Sequence, residues 1–156
     1  EALDGTKYIV DGHQRLGLAN RILAQNDGQK PKLSAYVIKE ADGFTKEYAM
    51  VKAAMKNIAE GTGSTIDAAK VLRIAPEEAA NLPQADSFVR TVQALAELDD
   101  EAFKLVTNGV VVPNHAAIVG RLVTDKSKHI PIVKLLKETE PKNEVEVEAI
   151  VRQAMK

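Results

Sequence analysis

From Thr65 to Lys156 the chain repeats one pattern: apolar residues at three- and four-residue spacing, interrupted at short intervals by helix stops and starts. Helices this short are marginal alone, so such a segment is confined to small helices that bury their apolar stripes on one another. The spacing predicts helices from Ile66 to Ala75, Ser87 to Leu95, Glu101 to Val106, Asn114 to Val123 and Ser127 to Lys137, with a short Pro76-initiated helix to Ala80 and a last helix after Asn143. Asp99 reads as an N-cap, Asn108-Gly109 as a left-handed stop, Pro113 as a helix opener and Asn143 with Glu146 as a capping box.

The first 60 residues have a different texture. Thr6 to Val10 and Leu33 to Lys39 are rich in β-branched and aromatic residues and predict two strands. Leu16, Leu18, Ala19, Ile22 and Leu23 lie at helical spacing between them, and the polar loop Asn26 to Pro31 ends that helix. Thr45 can cap a further helix from Lys46 to Ile58, striped by Met50, Val51, Ala54, Met55 and Ile58. The expected fold class is therefore α+β and mostly helical: a small strand-turn-helix corner in residues 1–60, truncated at its N-terminus, followed by a helical bundle in 61–156.

Composition narrows the function classes. At 45 % hydrophobic and 156 residues the chain can bury a core. It has no cysteine, which excludes disulfides and thiolate chemistry, and its three histidines are too scattered to suggest a zinc site. No apolar run approaches the roughly 20 residues of a membrane span, and no signal peptide opens the chain, so the expectation is a cytoplasmic protein without a membrane partner. Net charge is −1, so any attraction to nucleic acid must be local. Between Pro76 and Val110 the local balance is −5.

The richest candidate site is Asp11-Gly12-His13-Gln14-Arg15, where an expected strand turns into a helix. Backbone N–H groups freed by a turn at Gly12 can point at an anion, and Arg15 in the first helical turn calls for a negative partner. That partner is either a phosphate or Asp11 itself. Tyr8 to Leu16 resembles the strand and phosphate box of ParB-type proteins, Gly-Glu-Arg-Arg or Gly-His-Arg-Arg followed by a helix. Gly12, His13 and Arg15 match that box, and Gln14 replaces its first arginine. In the related sulfiredoxins the turn carries a catalytic cysteine, which this chain lacks. The family's second box, Glu-Asn-x-x-Arg, corresponds to Lys56-Asn57-Ile58-Ala59-Glu60, where Asn57 matches and Lys56 replaces the acid. The resemblance thus implies a nucleotide, CTP or ATP with magnesium, held by Gly12, His13, Gln14, Arg15, Lys56 and Asn57. Lys56 and Glu60 read equally as a solvated i,i+4 pair.

Leu82 to Val123 resembles the helix-turn-helix region of the same family and the helices behind it. Ser87 to Val92 takes the recognition-helix position, Leu95 to Leu98 the Leu-rich end, and Val112 to Val119 the His-Ala helix. This implies DNA contacts from Gln84, Ser87, Arg90 and Gln93, made against the repulsion of the −5 segment. Lys126, Lys128, His129, Lys134 and Lys137 form an alternative basic face, or a solvated one. His115 reads as a helix-start histidine. The family also implies self-association, although no apolar seam stands out.

The resulting expectation is a non-catalytic, ParB-like nucleotide- and DNA-associated module of a plasmid, phage or mobile-element protein. Two alternatives stand beside it. One is a metal-dependent nuclease or nucleotide-dependent phosphotransferase using Asp11, Glu40, Asp42 and Glu60, whose spacing matches no metal signature. The other is an interaction scaffold with no nucleotide affinity.

Overall fold

The structure, a computed structural model, describes residues 1–25, 31–82 and 85–156. Among these residues every regular element is helical: α1 (His13–Gln25), α2 (Lys46–Ala59), α3 (Thr65–Ile74), α4 (Asp86–Ala96), α5 (Asp100–Thr107), α6 (Pro113–Leu122), α7 (His129–Thr139) and α8 (Glu144–Ala154). Short 3-10 turns cover Glu40–Asp42, Pro76–Asn81 and Lys126–Lys128. No described helix is long and apolar enough to cross a membrane. The chain divides into two units, Glu1–Ala53 and Ala54–Lys156.

The expected α+β class is overturned, because no described residue lies in a strand. Thr6 to Val10 and Leu33 to Lys39 are irregular, and among the described residues no ladder of backbone hydrogen bonds joins them. The reason is physical: strand propensity expresses the fit of a side chain to a paired, half-buried surface, and neither segment has one. Tyr8, Ile9 and Val10 remain 64 %, 45 % and 39 % exposed. Among the described residues, thirteen of seventeen exposed large apolar side chains fall in residues 1–53, so this unit buries little of its own apolar surface. Its helices nevertheless begin where the sequence directs. Gly12, at φ 86, supplies the carbonyl that accepts from Leu16 N–H in the first turn of α1, and Thr45 Oγ1 accepts from Tyr48 N–H at the start of α2.

The second unit is a helical bundle. α3 packs on α4, α4 on α6, and α6 on both α7 and α8, while α5 packs on α7. Their apolar stripes meet in one core that includes Ala68, Val92, Leu95, Leu98, Val106, Val119, Val133, Val147 and Val151. Three helix starts in this unit are capped by side chains. Ser64 and Asp67 close a reciprocal capping box on α3, Asp99 caps α5 by accepting from Glu101 and Ala102 N–H, and Asn143 accepts from Glu146 N–H to start α8. Within α8's cap, the Glu146 carboxylate reaches Lys142 N–H and the Asn143 amide. Gly109, at φ 74, lies just beyond α5 in the left-handed conformation.

The centre of the bundle depends on one close approach. A Cβ at Gly120 of α6 would overlap the Ala94 carbonyl oxygen of α4, so only glycine lets these two backbones meet.

Candidate nucleic-acid interface

α4 has two faces. Val92 and Leu95 are fully buried, whereas Ser87, Arg90 and Gln93 are exposed at spacings of three residues and share the opposite side. Three of the four expected DNA-contact residues thus form one solvent-facing row, carried by a helix whose back is core. Gln84 lies outside the described residues. Arg90 Nη2 is 3.8 Å from Asp86 Oδ2, an exposed i,i+4 pair that a stronger anionic partner can displace.

The acidity around this row is softened by partners from outside the 76–110 segment. Asp100 binds Arg73 of α3, and Glu97 Oε2, at the end of α4, is 3.8 Å from Lys126 Nζ. Counting those two cations brings the local balance from −5 to −3. Asp99 directs its carboxylate into the α5 cap. Arg73 itself is committed to structure: Nη1 donates to the carbonyls of Ala96 at 2.9 Å and Leu98 at 2.6 Å, and its guanidinium stacks 4.6 Å from the Phe103 ring.

His129 is displaced from the role its neighbours suggested. It belongs to a basic run in the sequence, yet it is 1 % exposed. Its Nδ1 accepts from Asp99 N–H at 3.0 Å, which leaves Nε2 to donate to the Val123 carbonyl at 2.8 Å. The ring therefore joins the α5 N-cap to the C-cap of α6 from the first position of α7. Lys126, Lys128, Lys134 and Lys137 remain exposed, and no acid interrupts residues 126–137. Asp125 organises the turn before them by accepting from Ser127 N–H at 3.1 Å and Oγ at 2.6 Å, and these bonds hold its carboxyl below the usual range.

The expected nucleotide residues are divided between the two units. In the first, Asp11 Oδ1 accepts from Gly12 N–H at 2.6 Å and Asp11 Oδ2 lies 3.8 Å from Arg15 Nη2. His13, Gln14, Arg15, Gly17, Leu18 and Arg21 line an open hollow on α1. In the second unit Lys56 Nζ is 3.9 Å from Glu60 Oε1, and the Asn57 carbonyl closes the end of α2 by accepting from Thr62 and Gly63 N–H. Asp11 thus engages the Gly12 N–H and the Arg15 guanidinium in the first unit, and Glu60 lies beside Lys56 in the second. Among the described residues no three histidine or acidic side chains gather as metal ligands would. His115 stands half-buried in the first turn of α6.

Comparison with protein-family models, curated proteins and solved structures found no match to this chain.

Proposed function

We propose that this chain is a ParB-like, DNA-associated module of a cytoplasmic plasmid, phage or mobile-element protein, with α4 as the helix that faces the duplex. The observation that carries this reading is the row Ser87, Arg90 and Gln93, exposed together on a helix backed by α3 and α6. Their chemistry suits base edges: arginine pairs with guanine, glutamine with adenine, and serine with either. The reading is tested by fluorescence anisotropy with duplexes selected from a randomised pool. Binding by the full chain should weaken about 5- to 100-fold in Arg90→Ala or Gln93→Ala, the range of one lost base contact, with preference relaxed at one position. Equal affinity for every duplex, unchanged by either substitution, would refute it.

Nucleotide association belongs to the same reading and requires Asp11 to leave Gly12 and Arg15. Calorimetric titration with CTP or ATP and magnesium decides it. Saturable binding lost in Arg15→Ala supports a nucleotide site at 12–15, whereas no heat with the intact chain leaves a DNA-associated scaffold.

A further inference from the structure

We infer that the turn at Lys126–Lys128 is a phosphate clamp for the duplex beside the C-terminal end of α4, and that Glu97 occupies it as a built-in phosphate mimic. This rests on the reading of α4 above and adds the backbone contact that α4 lacks.

Four observations converge. Arg90, Gln93 and Glu97 follow one another at i,i+3 and i,i+4 spacing, so the exposed row of α4 runs directly to Glu97. Glu97 then meets Lys126 Nζ at 3.8 Å, which makes the lysine turn the continuation of that row. The turn is held in place: His129, buried immediately after it, is hydrogen-bonded to Asp99 N–H, two residues past Glu97, and to the Val123 carbonyl, and Asp125 ties Ser127 from within. Finally, residues 126–137 carry four lysines and no acid, in contrast to the acidic segment that contains α4. A base-reading helix needs phosphate contacts to fix its register, and α4 itself offers only Arg90. The lysine turn supplies cations at a fixed position next to it. A carboxylate already seated on Lys126 competes with a phosphate for the same ammonium group, so Glu97 weakens binding and increases its dependence on that exchange.

Duplex affinity is measured by anisotropy between 50 and 200 mM salt for the full chain and its Lys126→Ala, Lys128→Ala, Glu97→Gln and Lys142→Ala variants. Each phosphate contact contributes about 0.9 to the slope of log K against log salt, which is about 3.5-fold in affinity across that range. Lys126→Ala and Lys128→Ala should each flatten the slope by about one contact while leaving sequence preference intact. Glu97→Gln should tighten binding several-fold. Lys142→Ala removes the same charge from the α7–α8 linker and should change the slope less. Duplex binding with the same slope in both clamp variants, or an equal change in Lys142→Ala, overturns the clamp while leaving the α4 reading intact. Weaker binding by Glu97→Gln overturns the mimic. Failure of the intact chain to bind duplexes, with retention on vesicles containing phosphatidylserine, overturns both readings in favour of a lipid surface.

Discussion

Replacing His129 with leucine keeps similar volume at a buried position and removes both ring nitrogens. The Asp99 N–H and the Val123 carbonyl, 3.0 and 2.8 Å from those nitrogens, then lose their partner inside the bundle. A buried polar group left without a partner costs about 1–3 kcal/mol, so two cost about 2–6 kcal/mol. Leucine's greater apolarity offsets about 1 kcal/mol of that. The net expectation is a loss of about 1–5 kcal/mol, a large share of a typical domain's stability. Urea denaturation followed by far-ultraviolet circular dichroism reads it as a lower midpoint at unchanged slope, and thermal melting as a fall on the order of 10 °C. A loss below about 1 kcal/mol would refute the view that this histidine joins the ends of α5 and α6 from the core.

Two further perturbations test the bundle. Gly120→Ala places a methyl group on the Ala94 carbonyl and should cost about 3 kcal/mol or more in melting experiments, whereas Ala116→Gly in the same helix should cost less, through lost packing and about 1 kcal/mol of backbone entropy. Burial raises the Asp67 carboxyl, but the Ser64 hydroxyl and N–H together with the Lys70 charge bring it below its ordinary 3.8. Its stabilisation is therefore present above pH 3.8 and fades as pH falls through the lower folded-state value, so Ser64→Ala should cost about 1 kcal/mol at pH 7 and progressively less on acidification in matched denaturation curves.

The helical half was legible because its signals are local. Asp99, Asn143, Pro113 and Gly109 each act within a few residues, and periodicity marks the helical segments between them. The failure of the two predicted strands to form was not legible, since pairing is non-local: Thr6 to Val10 carries the composition of a strand but finds no neighbour to complete it. The site divides in the same way. Helical spacing alone puts Ser87, Arg90 and Gln93 on one face. The partners that tune this face, Lys126 on Glu97 and Arg73 on the carbonyls of Ala96 and Leu98, are distant in sequence and carry no motif. His129 had one available clue, its place three, four and seven residues before Ile132, Val133 and Leu136, which puts it on their apolar stripe rather than in the lysine row.

Amide chemical-shift mapping of the isotope-labelled chain against a selected duplex tests whether α4 faces DNA and the lysine turn grips it. Salt-sensitive perturbations concentrated at residues 86–97 and 126–128 are expected. Perturbations confined to α1 or α8, or none at saturating duplex, would contradict that placement.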